Sequence, residues 1–421
     1  MNERQREYLD ILRQELIPAL GCTEPIAIAY GAARARRLLG SFPEHMTVSC
    51  SGNIIKNVKG VIVPTTGDLR GIDTSALLGA LAGDPDREME VLSSVKPEDV
   101  ERVRALRETD LCRVKPLLGT ANLHIIVEAE GNGHTALVEI IDAHTNVVLE
   151  QRDGETVFQQ ERSGVQQAQS RRQGMTMAEI YRFAQTAPLE ELKEVLRRQV
   201  ECNVVIAEEG LRGEYGVRVG KTLLADGDGS ARRKAAAYAA AGSDARMSGC
   251  VLPVVVNSGS GNQGMTVSLP VIVYAREMGM DEERLYRALA LSNLTAIYQK
   301  SFIGELSAYC GVVSAACGSA AGLAYLCGEG LEVISNTVIN TIANVSGMVC
   351  DGAKPSCAAK IATAVEAGFL GLDMARNGQV FHDGEGLVQK DVDATIAAFG
   401  RMGRDGMKST DQEILNIMVG Q

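Results

Sequence analysis

The chain has 421 residues, 45% hydrophobic and 23% charged, which excludes wholesale disorder and leaves room for two or three domains of roughly 100–200 residues each. Against 42 basic residues stand 53 acidic ones, for a net charge of −11, so no basic face is on offer to nucleic acid or to an anionic membrane. Trp is absent, Tyr and Phe number only 10 and 7, and 44 glycines predict a core of small side chains and closely approaching backbones.

The first segment, MNERQREYLDILRQELIPAL, alternates charge with leucine at helical spacing to about Pro18. It lacks the apolar run and small-residue cleavage site of a secretory signal, so a cytoplasmic location is expected. In that reducing setting the ten cysteines read as thiols, metal ligands or catalytic groups, not as disulfides. Gly21-Cys22-Thr23-Glu24-Pro25 breaks the pattern, and an Ala-rich helix follows through about Leu39. Thr47 to Pro64 reads as two short β segments around a polar turn, Ser51-Gly52-Asn53, and a small helix is expected at Ser75–Leu81. From Glu88 to about Glu150 the pattern is alternating and β-branched, with a hairpin signal at Asn132-Gly133. Gln159 to about Gln173 is polar without apolar period and reads as a loop, and an amphipathic helical stretch runs from Met177 to near Gln199. Beyond Arg246 the chain is Gly/Ala-rich and helical. Cys310 to Gly328 is uncharged and about as long as a membrane span, but its Ala, Gly, Ser and Cys make it a buried helix instead. The fold class is therefore α+β. A Gly/Ala-rich helical body formed by both chain ends (1–89 and 245–421) is expected, with a mixed α/β domain (90–244) inserted between them.

Four segments place polar or soft ligand atoms where a plain core would avoid them. Cys22 lies in a helix-to-helix turn, where N–H groups at the next helix start can stabilise a thiolate. Asn257, Ser258, Gly259, Ser260, Gly261, Asn262, Gln263 and Gly264 join two apolar runs and form a nest of N–H donors suited to a carboxylate or phosphate; the plain alternative is a flexible connection. No Lys-Ser or Lys-Thr pair follows, so this is not a Walker loop. The third segment is KSFIGELSAYCGVVSAAC, with Lys300, Cys310 and Cys317, and the fourth is CDGAKPSC, with Cys350 and Cys357. None has C-x-x-C zinc spacing or the clustered ferredoxin run. A dispersed site of Cys22, Cys310 and Cys350 fits their turn positions, although each alone reads more readily as a small buried hydrophobe. Cys112, Cys202, Cys250 and Cys327 read as packing residues.

Taken together and in this order, GCTEP, SGNIIKN, NSGSGNQG, KSFIGELSAYCG and CDGAKPSC resemble the L-cysteine desulfidase family, which is related to the α chain of iron-sulfur L-serine dehydratases. The resemblance runs nearly end to end. It implies a 4Fe-4S cluster with one open iron site, no pyridoxal phosphate, and β-elimination of L-cysteine to hydrogen sulfide, ammonia and pyruvate. It assigns the cluster ligands to Cys22, Cys310 and Cys350, with Cys357 as a further candidate. It also implies an amino-acid substrate, with no nucleic-acid or membrane partner, and a homo-oligomer is expected.

The elementary chemistry agrees. An iron with only three protein ligands is a Lewis acid, and thiolate is a soft ligand for it. The substrate carboxylate needs donors, which 257–263 and Ser51, Gly52, Asn53 and Lys56 can offer. The base must be neutral near pH 7, and burial can bring Lys300 there. His45, His124, His134, His144 and His382 all fall outside the motifs, and none is expected as the base. L-serine dehydration by the same cluster is the alternative within the enzyme class. A non-catalytic iron-sulfur sensor would bring a basic helix-turn-helix, which the sequence lacks, and a binding protein built on the glycine loop would leave the cysteines unexplained.

Overall fold

A capping box opens the first helix of the computed structural model: Asn2 Oδ1 accepts from the Gln5 amide and Gln5 Oε1 accepts from the Asn2 amide, so α1 (Glu3–Glu15) starts with two of its terminal donors satisfied and buries Tyr8, Leu9, Ile11 and Leu12. The structure describes residues 1–117, 119–160, 172–225, 229–304 and 306–420. Strand β1 (Pro18–Leu20) leads to α2 (Thr23–Leu39), which ends on Gly40 at φ 83°, the left-handed conformation that favours glycine.

After β2 (His45–Ser51) the chain turns directly into a helix, α3 (Gly52–Lys59), not into the second β segment that the sequence suggested. Ile54, Ile55 and Val58 recur at helical spacing, and the β-branched residues of so short a run masked that period. Helices α4 (Ile72–Ala82) and α5 (Pro97–Arg107) follow, then strands β3 (Cys112–Leu117), β4 (His124–Gly131), β5 (His134–Ile141), β6 (Val147–Arg152) and β7 (Glu155–Gln159). Six strands form one sheet in the order β3-β2-β4-β5-β6-β7, with β2 and β3 parallel and every other pair antiparallel. Asn132 and Gly133, at φ 53° and 75°, make the expected tight β4–β5 turn. Helix α2 lies on this sheet, and a Cβ built on Gly31 would stand 3.1 Å from Val127 and 3.3 Å from Ile140.

The remainder is helical: α6 (Met177–Thr186), α7 (Leu189–Arg212), α8 (Val219–Ala225) and α9 (Ala231–Met247), then a short strand β8 (Pro253–Val255) that pairs antiparallel with β1. Next come α10 (Gly261–Glu277), α11 (Glu282–Ile303), α12 (Gly311–Leu326), α13 (Leu331–Val345), α14 (Cys357–Arg376), α15 (Val392–Arg401) and α16 (Lys408–Val419). The helical stretch expected to end near Gln199 continues to Arg212. The loop expected at 159–173 lies mostly outside the described residues, since 161–171 are not among them. Helix α12 is buried as expected, and among the described residues no helix is long and apolar enough to cross a membrane.

Buried apolar side chains gather into two large cores. One joins α2, α4 and the sheet through residues between Ala19 and Val147, with Val256 and Leu306 added from later in the chain. The other joins α1 to the helices from Met175 to Phe399. These memberships run across the expected boundaries near 90 and 245, because β2 supplies a central strand to the sheet and α6–α9 pack among the later helices. Small residues allow the close crossings that such a core needs. A Cβ on Gly318 of α12 would stand 2.4 Å from the Ser292 carbonyl of α11, and one on Gly79 of α4 would stand 2.2 Å from the Ala29 carbonyl of α2.

Candidate functional site

β1 and β8 pair, and that pairing sets the turn before α2 beside the turn before α10. Cys22 is the N-cap residue of α2, and Gly21 just before it turns at φ 54°. The loop before α10 closes as a tight turn, with Ser258 and Gly259 at φ 49° and 73° and Asn257 and Ser260 exchanging backbone hydrogen bonds of 3.2 and 3.1 Å. Ser260 then caps α10.

Cys310 is the N-cap of α12, and Cys350 lies in the connection between α13 and α14. An isolated bridge between Tyr309 and Val349 holds the two together: the Cys310 amide donates to the Met348 carbonyl at 3.1 Å, and the Cys350 amide to the Ala308 carbonyl at 2.7 Å. Cys357 is the first residue of α14. Three of the four candidate thiols thus sit at the start of a helix, where unsatisfied N–H groups favour negative charge.

All four thiols line one cavity of about 90 Å³. Lys300 lines it too, near the end of α11, which stops at Gly304 with φ 98°. So do Ser258, Gly259, Ser260, Asn262 and Gln263. Asn257 does not: its amide is turned into the helical packing, 3.0 Å from Asn293 Oδ1. Gly261 instead packs against the Arg246 side chain, which would meet a Cβ there at 2.3 Å. Ser51, Gly52, Asn53 and Lys56 line a second cavity beside it, so the structure does not bring them to the thiols' cavity.

Burial sets the electrostatics. Cys22 is pushed well up, first by burial and then by the Glu24 carboxylate, which accepts its S–H at 3.0 Å. Cys310 is also pushed up, first because its thiol donates to Cys350 and next by burial. That bond is the largest reason Cys350 is drawn down to about 6, with Lys56, the Gly352 amide and Lys360 also lowering it. Burial raises Cys357. Burial would raise Glu24 as well, but His144, the Cys22 thiol, its own amide and Arg246 outweigh it and hold the carboxyl down. Asn57 donates to its other oxygen at 2.9 Å.

Among the polar residues that line this cavity without having been expected there are Arg246, Asn57 and His144. Arg246 is almost fully buried, and its Nε donates to the Gly21 carbonyl at 2.8 Å. Asn57 comes from the SGNIIKN segment but was not singled out. His144, from the connection between β5 and β6, lines the cavity with Nε2 unpartnered, and burial keeps its pKa below the usual imidazole value. No histidine is expected as the base, yet His144, which lies between residues 90 and 244, lines the cavity. The β5–β6 connection carries His144 across to α2, a reach no local pattern encodes. A lone Arg in the Ala-rich run AAAGSDARM was the one available signal for Arg246, because an unpaired charge does not sit in such a helix without a buried partner.

Buried acceptors without donors, Asn262 Oδ1 and Gln263 Oε1, face the same cavity. Among the described residues no three His, Cys, Asp or Glu converge on a single-ion site. An iron-sulfur cluster makes a different demand, because each cysteine binds a different iron and the thiols must ring a space. Four soft donors around one cavity fit that demand, and a metal would take the place of the protons that Cys22 and Cys310 now carry.

Comparison with known proteins gives a consistent result. A family model described as serine dehydratase alpha chain matches residues 86–416. The UPF0597 protein of Lachnoclostridium phytofermentans is 48% identical over 414 residues, covering 98% of this chain and 99% of that one. The UPF0597 protein of Desulfitobacterium hafniense is 48% identical over 417 residues, covering 98% and 96%. That of Treponema denticola is 44% identical over 423 residues, covering 99% and 98%.

Proposed function

This chain belongs to the serine dehydratase alpha chain family, and from that premise we propose that it is an iron-sulfur lyase that eliminates sulfide from L-cysteine, yielding hydrogen sulfide, ammonia and pyruvate without pyridoxal phosphate. The observation that carries this reading is the meeting of Cys22, Cys310, Cys350 and Cys357, from segments far apart in the chain, around one cavity that also holds Lys300 and the start of α10. A 4Fe-4S cluster bound by Cys22, Cys310 and Cys350 would supply an open iron as Lewis acid for the departing thiolate.

The chain's own groups account for the rest. The N–H groups at the start of α10 receive the substrate carboxylate, helped by the helix dipole. Asn262 Oδ1 and Gln263 Oε1, left without donors, accept from the substrate ammonium. Lys300 Nζ, in its neutral form, takes the α-proton; the electron pair of that C–H bond forms the Cα–Cβ double bond as the C–S bond breaks, and sulfur leaves with the C–S pair. The enamine that remains hydrolyses in water to pyruvate and ammonia. Arg246 and Glu24 put opposite charges on the wall beside Cys22 and fix the start of α2.

Dehydration of L-serine in the same cavity is the second reading, favoured by the description of the matching family model. Anaerobically prepared protein given L-cysteine and L-serine separately, with pyruvate measured for both and sulfide for the first, decides between them. The proposal expects a higher kcat/KM for L-cysteine. A higher value for L-serine would replace it with the second reading, and no pyruvate from either would overturn both.

A further inference from the structure

Beside the thiols' cavity lies a larger one, of about 310 Å³, between α3 and α16. Ser51, Asn53 and Lys56 line one side of it and Arg404, Lys408 and Asp411 the other. Asn53 and Lys56 stand one turn apart on α3 and both hold the Asp411 carboxylate: Asn53 Nδ2 donates to Oδ2 at 2.6 Å, and Lys56 Nζ to Oδ1 at 2.5 Å. Lys56 is 1% exposed and Asn53 8%, so the pair is built into the wall. The Asn53 acceptor, Oδ1, is buried without any donor among the described residues.

The ion pair uses the two donors but leaves this acceptor out. Two donors for a carboxylate with a bare acceptor beside them match an α-amino acid, whose carboxylate would take the two donors and whose ammonium would reach Asn53 Oδ1. Asp411 supplies only the first half of that pattern. We infer that this cavity is an α-amino-acid binding site, separate from the thiols' cavity, in which the Asp411 carboxylate occupies the ligand's place. Ser307 lines both cavities, so a ligand here shares a wall with the proposed reaction site. Helix α16 must withdraw Asp411 for the ligand to bind, and it rests closely on α3, where a Cβ on Gly52 would stand 2.5 Å from Leu415.

Glycine is the probe, because it has no group on a β-carbon to eliminate, and its binding needs no turnover. Failure of the lyase reading is thus separate from failure here. Equilibrium binding of glycine to the full-length, anaerobically prepared protein is compared with that of acetate. Removing the competing carboxylate raises the fraction of free sites, so Asp411→Asn binds glycine about tenfold tighter than the wild type if Asp411 fills the site about nine-tenths of the time. Leu415→Ala, which loosens α16 and keeps the Lys56–Asp411 pair intact, shifts glycine binding in the same direction and guards against a folding defect in the first variant. Asn53→Ala abolishes the gain when combined with Asp411→Asn. Unchanged or weaker glycine binding in both single variants overturns the proposal, as does acetate binding the Asp411→Asn protein as tightly as glycine.

Discussion

Lys300 is buried and lines the cavity shared by the four thiols, which is where either a base or a carboxylate anchor has to be. Lys300→Met keeps most of the stem's packing and removes the amine. It should keep the visible absorption of the cluster while sulfide release falls by about 100-fold or more, the usual scale of a lost general base; full turnover with an intact cluster would remove Lys300 from the reaction. His144→Gln is the complementary variant. Its ring lines the same cavity, but on the account above it does not take the α-proton, so the variant should retain turnover within about tenfold. A loss as deep as that of Lys300→Met, with the cluster retained, would move the base to His144. The thiols and the α10 loop stood out as soft or polar groups in breaks between apolar runs, but the ligand set itself came only from the family resemblance. Lys56 and Asn53 were legible as polar residues but not in their place, because their cavity forms only where α16 packs against α3. His144 carries no motif, and it is brought in by the β5–β6 connection alone.

At the scale of elements, two positions test how the helices are held. Gly79 lets α4 approach α2 so closely that a methyl group would overlap the Ala29 backbone. Gly79→Ala should therefore destabilise the protein by about 1–3 kcal/mol, seen as a lower urea midpoint, despite alanine's better helix propensity. A neutral or raised midpoint would mean that the crossing can relax. Asp244 on α9 accepts from the Gly220 amide at 3.1 Å, and burial pushes its carboxyl up to about 6. The unfolded group titrates at about 3.9. Between those values the folded protein keeps a proton that the unfolded chain has released, so this group's contribution to stability falls as pH rises from about 4 to 6. Asp244→Asn removes the titration and can keep the bond to Gly220. Relative to wild type it should gain stability with rising pH, by at most about 3 kcal/mol at pH 7, in paired urea titrations at pH 4 and pH 7. An equal difference at both pH values would contradict this. The long amphipathic and Ala-rich helices were legible from their period, whereas α3 was not, since eight residues with three β-branched ones satisfy a strand as readily as a helix.

Across the whole molecule, the α+β class was legible because β-branched alternation and Gly/Ala-rich helical periods occupy different stretches of the chain. The partition was not: β2 lies sixty residues before β3–β4 in the sequence yet between them in the sheet, a long-range pairing that no local pattern announces. The same long-range packing is what assembles the site, since α2, α10, α12 and the segment before α14 each bring one piece of it. The central claim is that these pieces together hold an iron-sulfur cluster on Cys22, Cys310 and Cys350. The direct measurement is the iron and acid-labile sulfide content of anaerobically prepared wild type beside Cys22→Ser, Cys310→Ser, Cys350→Ser and, as a control, Cys317→Ser, a buried thiol that does not line the cavity. The account predicts a full 4Fe-4S complement in the wild type and in Cys317→Ser, and loss of iron and sulfide in each of the other three. A wild type without iron, or a full complement in any of those three variants, would contradict it.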